Sequence, residues 1–371
     1  MSKALFIVNR PDYFLSHRLA LAQNLADAGY EIHIASVQHE SASQLTGLGY
    51  HFHVVDIERG RTNPLKELLG LLAIVNLIKK LQPDIVHCIT VKPVLYGGIA
   101  ARLLGTRKVV VAIAGLGSVF TTNNVKNVIL RFISVRLYKL ALGNANLTAI
   151  FQNRHDQAFF TQRKIIPPHR TRLIKGSGVA LDKFAFAPLP DTQKKVILLS
   201  ARLLREKGVF EFLQAARQVL MTRSDAEFWL AGEIDPGNPS SLTGHDIAQW
   251  SKVAGIKFLG FQRDIYSTIK ASTIVILPSY REGFPKALIE AAAVGRAIIT
   301  TAVPGCEDAV IPNETGFLVP VKQVDSLVEK INYLLDRHDK CVGFGQAGRV
   351  YAENNFDLNV VVQAHHEVYM S

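Results

Sequence analysis

The sequence predicts an α/β protein of two doubly wound, parallel-sheet, Rossmann-like domains facing a cleft. Three observations predict it. Short runs rich in Val and Ile alternate with longer stretches of helical periodicity along nearly the whole chain, the pattern of βαβ units. The chain has 371 residues, twice the roughly 100–200 of an ordinary domain. Near the middle, residues 186–190 (FAPLP) place two prolines ahead of a polar run and a fresh apolar strand. The expected division is 1–185 and 186–371, with the last helix packing back on the first domain.

In chain order, the first half reads as strands at 4–8 (ALFIV), 31–36 (EIHIAS), 52–56 (FHVVD), 85–89 (IVHCI), 108–113 (KVVVAI), 147–151 (LTAIF) and 172–175 (RLIK). The second half reads as strands at 195–200 (KVILLS), 227–231 (EFWLA), 256–259 (IKFL), 274–278 (IVILP) and 297–301 (AIITT). These runs are nearly continuous in apolar residues, as strands covered on both faces must be. Helices fall between them, with 65–80, 128–142 and 209–221 the clearest.

Composition narrows the class. The chain is 48% hydrophobic and 20% charged, with ordinary Gly and Pro, which excludes disorder, collagen and small disulfide scaffolds. Cys88, Cys306 and Cys341 are scattered and odd in number, so neither a disulfide framework nor a zinc knuckle is indicated and a reducing, cytoplasmic setting fits. The apolar run before Asn9 is too short for a signal-peptide core, and the uncharged leucine-rich stretch 68–78 is far short of the ~20 residues of a spanning helix. Residues 9–14 (NRPDYF) lack the glycines of a dinucleotide fingerprint, no GxxxxGK[ST] is present, and NAD-dependent and P-loop chemistry recede accordingly.

The net charge of +11 asks for an anionic partner: nucleic acid, phosphorylated metabolites or acidic lipid. It is unevenly spread. Residues 1–185 carry 23 Lys and Arg against 10 Asp and Glu, a net of +13, whereas 186–371 carry 19 against 21, a net of −2.

The segment 282–290 (EGFPKALIE) follows the strand at 274–278. Pro285 suits the first helical position, so a helix is expected to begin around Phe284, leaving Glu282 in the loop at the strand's carboxyl end and Glu290 in the helix's early turns. That sheet edge is where ligands bind in open α/β sheets, and a helix N-terminus offers free N–H groups to an anion. Two carboxylates flanking such an anion site suit the hydroxyls of a sugar or ribose.

The run EGFPKALIEAAAVGRAIITTAVPG from Glu282, together with GFLVP at 316–320, resembles the E-x7-E region of the retaining glycosyltransferases of family 4, which have the GT-B fold. The resemblance spans essentially the whole chain and is strongest over 200–320. It implies that Glu282 contacts hydroxyls of the donor sugar and that Glu290 holds the ribose, with Gly283 and Phe284 beside them in the donor site. In 200–208 (SARLLREKG) it implies that Arg202 and Lys207 hold the donor diphosphate, a bidentate guanidinium plus a point-charge ammonium, while Arg205 faces solvent. The turn at 260–263 (GFQR) resembles the family's base-binding turn, where the backbone of Phe261 and Gln262 reads the base, and the bacterial subfamily favours uridine.

In the first domain, Gly115 and Gly117 of the turn AGLGS let backbone approach the donor, or simply make a tight turn. The family's histidine before this glycine is replaced by Ala114, and an arginine often seen in relatives is missing from 304–308 (PGCED). His17 and Arg18 follow the first strand. His87, Thr90 and Lys92 follow or end the fourth. His17, Arg18 and Lys92 are the candidates for an acceptor diphosphate, and His87 reads equally as a core histidine.

No DxD motif is present, the nearest string being 233–235 (EID), so transfer is expected to need no metal and no cofactor beyond a UDP-sugar donor. The resemblance implies retention of configuration by front-face attack, the departing diphosphate taking the acceptor's proton. Arg131, Arg136 and Lys139 share one helical arc with Val128, Phe132 and Val135 between them, which suits an interfacial helix on anionic lipid or a core helix with basic edges. The helix at 65–80, with Lys66, Lys79 and Lys80 at its ends, is a second candidate. The expected enzyme is a hexosyl- or N-acetylhexosaminyltransferase peripheral on the inner face of the cell membrane, acting on a polyprenyl-diphosphate-linked glycan in surface polysaccharide synthesis and not on nucleic acid. The alternatives weighed are a nucleotide-sugar epimerase and a non-catalytic scaffold subunit.

Overall fold

The structure is a computed structural model that describes residues 1–57, 63–115 and 125–371, with the backbone alone at 125–129. The chain forms two compact units, Met1–Ser177 with Val360–Ser371, and Gly178–Asn359. Residues 178–185, which the sequence division placed with the first domain, pack with the second unit. There Val179 bridges Asp357 and its amide donates to the Phe356 carbonyl.

The first unit runs β1 (Lys3–Val8), α1 (Pro11–His17), α2 (Leu19–Asp27), β2 (Glu31–Ser36), α3 (Ala42–Gly47), β3 (His51–Val54), α4 (Pro64–Leu81), β4 (Ile85–Ile89), α5 (Val91–Leu103), β5 (Lys108–Ile113), α6 (Val125–Ala141), β6 (Leu147–Phe151), α7 (Arg154–Gln162) and β7 (Thr171–Leu173). Its seven strands lie in the order β3-β2-β1-β4-β5-β6-β7, all parallel. Alternate residues of β1, β2, β4, β5 and β6 are buried on opposite faces, which explains why these strands read as unbroken apolar runs. Leu5, Ile7, Val86, Val109 and Val111 pack under Ile74 of α4, Val94 of α5 and Tyr138 of α6. Phe6, Val8, Ile34, Val110 and Ile150 pack under Phe14, Leu21 and Leu25. Each such large side chain removed from water is worth about 1.5–3 kcal/mol.

The second unit runs β8 (Lys195–Ser200), α8 (Val209–Leu220), β9 (Ala226–Ala231), α9 (Gly244–Trp250), β10 (Ile256–Gly260), α10 (Ile265–Lys270), β11 (Ile274–Leu277), α11 (Lys286–Val294), β12 (Ala297–Thr301), β13 (Gly316–Val319), α12 (Val324–Leu335) and α13 (His338–Asn355). Its six parallel strands are ordered β10-β9-β8-β11-β12-β13. Strand β13 is not among those expected from the sequence. It is four residues long and opens on Gly316, where any Cβ would stand 2.2 Å from the Ile298 carbonyl oxygen.

Proline-rich 186–190 is fixed to this unit by Arg296, which is fully buried. Its guanidinium donates to the carbonyls of Ala187, Pro188, Ile269, Lys270 and Gly295. Burial pulls its pKa down to about 10. The last helix, α14 (Leu358–Met370), lays Val361, Val368 and Tyr369 on the core of the first unit. No described helix is long and apolar enough to cross a membrane.

Candidate active site

Strand order reverses between β8 and β11 in the second sheet, and crevices at the carboxyl ends of strands beside such a reversal are ligand sites by topology. The two loops leaving β8 and β11 carry Arg202 and Lys207 on one side and Glu282 on the other. Lys207 Nζ lies 2.5 Å from Glu282 Oε1, and the Ser279 hydroxyl donates to the same oxygen at 2.7 Å. The pair is largely shielded, with side-chain exposures of 21% and 10%.

Close backbone packing sets that geometry. Gly208 follows Lys207 at φ +72°, and a Cβ there would lie 2.1 Å from the Pro278 carbonyl oxygen, so the lysine loop passes directly over the end of β11. On the other side Gly305, at φ +82°, would drive a Cβ to 2.7 Å from the Glu282 carbonyl oxygen and 2.5 Å from that of Gly283. The Glu282 amide donates to the Pro304 carbonyl, so the 304–308 segment backs the Glu282 loop. Cys306 is buried near by, its thiol pushed up to about 12 by burial first and the Glu282 charge second.

Pro285 proves to be the N-cap residue, so the helix starts at Lys286, two positions after Phe284. Phe284 turns inward onto Phe356, ring centroids 5.3 Å apart, and is 9% exposed, which anchors the loop in the core. Glu290 is 7% exposed. Burial raises its carboxyl pKa against the opposing pull of Lys286, whose Nζ is 3.4 Å away. Glu290 is thus a buried carboxylate paired with a single cation from its own helix among the described residues.

Arg202 pairs with Asp235 Oδ2 at 2.6 Å. Sequence reading missed this partner, although Asp235 sits in the string weighed as the nearest to a metal-binding motif. Arg205 is exposed and lies over the Phe210 ring at 4.6 Å. Gly260 adopts φ +66°. Beyond it Phe261 is 66% exposed and Gln262 donates to the Leu259 carbonyl, which leaves an open apolar surface beside a fixed turn.

In the first unit the corresponding reversal lies between β1 and β4, joined above the strands by the hydrogen bond from Thr90 to Asn9. Lys92 is ion-paired with Glu67 at 2.8 Å. His17 stacks on Tyr13 and bonds Ser16. Arg18 is 2% exposed and lies near His87, His365 and Tyr369, with Tyr369 Oη 2.7 Å from His87 Nδ1. His87 is thus a core histidine, kept neutral by burial, the positive charge of Arg18 acting in the same direction. Gly115 has φ +124°, a conformation open chiefly to glycine. Gly117 lies outside the described residues.

Residues 3–153 match the family model "Glycosyl transferase 4-like" and residues 182–351 match "Glycosyl transferases group 1". The N,N'-diacetylbacillosaminyl-diphospho-undecaprenol alpha-1,3-N-acetylgalactosaminyltransferase of Campylobacter jejuni is 28% identical over 96% of this chain and 97% of its own length. The UDP-Gal:alpha-D-GlcNAc-diphosphoundecaprenol alpha-1,3-galactosyltransferase of Escherichia coli is 26% identical over 73% of this chain and 71% of its own. Among solved structures, Anabaena HepE in complex with UDP and glucose has a TM-score of 0.79 at 18% identity, each chain covered completely. A glycosyltransferase from Rickettsia africae has a TM-score of 0.78 at 20% identity, covering 99% of this chain and 97% of its own. The structural likeness shows the GT-B fold.

Proposed function

The chain belongs to the glycosyltransferases that join a glycosyl transferase 4-like domain to a glycosyl transferases group 1 domain, and from that premise we propose that it moves a hexose or N-acetylhexosamine from a UDP-sugar to a polyprenyl-diphosphate-linked glycan in surface polysaccharide synthesis. Both matched models describe transferases, and the epimerase alternative gains nothing from them. The observation that carries the reading is the Lys207–Glu282 pair at the strand-order reversal.

In this reading the donor diphosphate draws Lys207 from Glu282 and engages Arg202, and the two cations stabilise the charge that develops as the glycosidic bond breaks. Glu282, released, accepts hydroxyls of the donor sugar, and Glu290 accepts the ribose hydroxyls. With no DxD motif in the sequence and two cations to meet the diphosphate, transfer in this reading needs no metal ion. The leaving diphosphate oxygen takes the acceptor hydroxyl's proton on the face where the bond breaks, so configuration is retained.

The acceptor side belongs to the first unit, which carries the positive excess. Helix α4 leaves Leu65, Leu68, Leu69 and Leu72 exposed at helical spacing, and α6 leaves Leu130, Phe132, Ile133, Leu137 and Leu140 exposed. The apolar positions of α6 differ from those expected: Val135 packs on the core, and the side chain of Val128 lies outside the described residues. With Arg136 over the Phe132 ring at 5.0 Å, such a surface suits peripheral attachment to anionic lipid.

The test is a panel of UDP-sugars with a synthetic polyprenyl-diphosphate glycan, run with the native protein and with Glu282→Ala. Transfer of one sugar by the native protein, lost in the variant and unaffected by chelator, is expected. Unchanged transfer by the variant would overturn the site, and product of inverted anomeric configuration by NMR would overturn the mechanism.

A further inference from the structure

Glu31, His33 and His51 bring one carboxylate oxygen and two imidazole nitrogens within 4.8 Å of one another. They do so at the amino ends of β2 and β3, the edge of the first sheet opposite to the one where ligands bind. Glu31 and His33 are two apart on β2 and share a face. His51 opens the edge strand β3 and stands opposite His33 in the parallel register. Glu31 Oε1 is 2.9 Å from His51 Nε2 and 3.3 Å from His33 Nε2.

The hydrogen bonds around His33 do not close. Its ring is 4% exposed, and Nε2 has no hydrogen-bond partner despite the nearby carboxylate. Nδ1, by contrast, is 3.0 Å from His53 Nε2. When Nδ1 donates its proton to His53, the lone pair of Nε2 faces the Glu31 oxygen 3.3 Å away, two electron-rich atoms in contact; when His53 donates instead, Nε2–H still makes no hydrogen bond to that oxygen. A cation between them removes that cost. A hydrogen-bond acceptor on the other ring nitrogen is what fixes the tautomer of a metal-ligating histidine, and His53 occupies that place here.

We propose that Glu31, His33 and His51 form a site for one divalent transition ion of the zinc class, with His53 orienting His33, which clasps the edge strand β3 to β2. Two nitrogens and one carboxylate oxygen suit Zn²⁺, Co²⁺ or Ni²⁺ over the all-oxygen ions Mg²⁺ and Ca²⁺. With ligand bonds of about 2.0–2.1 Å, a tetrahedral site has edges of about 3.3 Å. The carboxylate–His33 separation already matches this, and the carboxylate–His51 one opens by a few tenths of an ångström. Three protein ligands leave a fourth position for solvent. Lys3 acts electrostatically on His33 and Lys80 on His53; both oppose a dication, so affinity is expected to be lower than at an all-cysteine site. The three cysteines are buried and offer no competing exposed thiolate.

The test uses the full chain stripped of metal and titrated with Zn²⁺ against a chromophoric chelator, and separately with Co²⁺ followed by its visible absorption. One Zn²⁺ per chain, a tetrahedral-type Co²⁺ band and a raised thermal midpoint are expected. Glu31→Gln and His51→Gln sit at accessible positions and should fold; each is expected to weaken Zn²⁺ at least 10-fold and remove the thermal gain. His53→Gln keeps all three ligands and is expected to weaken binding about 10–100-fold. Substoichiometric uptake, or affinity unchanged in both rim variants, would overturn the site.

Discussion

Lys207 and Glu282 stand 75 residues apart in sequence and 2.5 Å apart in space. They come from loops on either side of the strand-order reversal, and Gly208 lets the first loop cross the end of β11. In the proposed donor site, the Glu282 carboxylate keeps the Lys207 charge in place until a diphosphate competes for it. Lys207→Met is therefore expected to lower kcat/KM by about 10²–10³, the usual cost of one preorganised charge-stabilising donor. Urea denaturation should show the fold intact. Steady-state transfer with UDP-sugar measures it, and a loss confined to KM would mean that Lys207 binds substrate and transition state equally and does not selectively stabilise the leaving group.

Asp235 restrains Arg202 in the same manner, but at an exposed position where such pairs contribute about 0–1 kcal/mol. Asp235→Asn should free the guanidinium and tighten UDP up to about 5-fold, with little change in stability. Arg202→Lys is expected to weaken UDP, because a point charge cannot replace a bidentate fork. Calorimetric titration with UDP decides it. Weaker binding by Asp235→Asn would mean that Asp235 aims the arginine instead of competing for it.

Most of this site was legible because local signals agreed. Glu282, Pro285 and Glu290 stand at a strand end and a helix start, and Arg202 and Lys207 follow a strand whose apolar run is unbroken, so sheet topology alone puts them on one edge. The Arg202–Asp235 and Lys207–Glu282 pairs were not legible, since each joins loops from different strands. Strand β13 escaped because four residues opening on glycine give too short a run to show alternation. Arg18 read as a cation for an acceptor diphosphate from its place after the first strand, whereas its burial beside His87, His365 and Tyr369 depends on α14 arriving from the far end of the chain.

Glu290 sets a pH dependence. Its folded-state pKa is raised by burial, so between the ordinary carboxyl value and that raised value the folded form binds more protons than the unfolded. Stability from this group therefore falls as pH rises through the window. Glu290→Gln should be more stable than the native protein at neutral pH and lose that slope, measured by urea denaturation at a series of pH values without nucleotide. Glu290→Ala should weaken UDP about 10–100-fold, from the loss of charged hydrogen bonds to the ribose. Equal UDP affinity would remove Glu290 from the nucleotide site.

Gly305 supports Glu282 from behind. Gly305→Ala introduces a side chain at φ +82° and a Cβ within 2.7 Å of two backbone oxygens. Backbone strain alone costs about 1–3 kcal/mol. The Glu282–Gly283 backbone has to shift to relieve the contact, so transfer should fall more than stability does. Thermal unfolding and kcat compared in one variant test this, and full activity in a destabilised protein would show that the loop tolerates displacement.

The exposed apolar residues of α4 and α6 make a prediction independent of the chemistry. Phe132 is 62% exposed and Leu69 64%, and each would gain about 1.5–3 kcal/mol on full transfer from water. Phe132→Glu or Leu69→Glu also places a negative charge against anionic lipid. Each should weaken binding to phosphatidylglycerol-containing vesicles by about 10-fold or more, with sedimentation as the measurement. Because neither residue lies on the strand ends that carry Arg202, Lys207 and Glu282, UDP affinity should stay unchanged. Transfer to a short water-soluble acceptor should also persist while transfer to the full polyprenyl acceptor in vesicles falls. Equal vesicle binding by both variants would leave the positive excess of the first unit to the acceptor diphosphate alone.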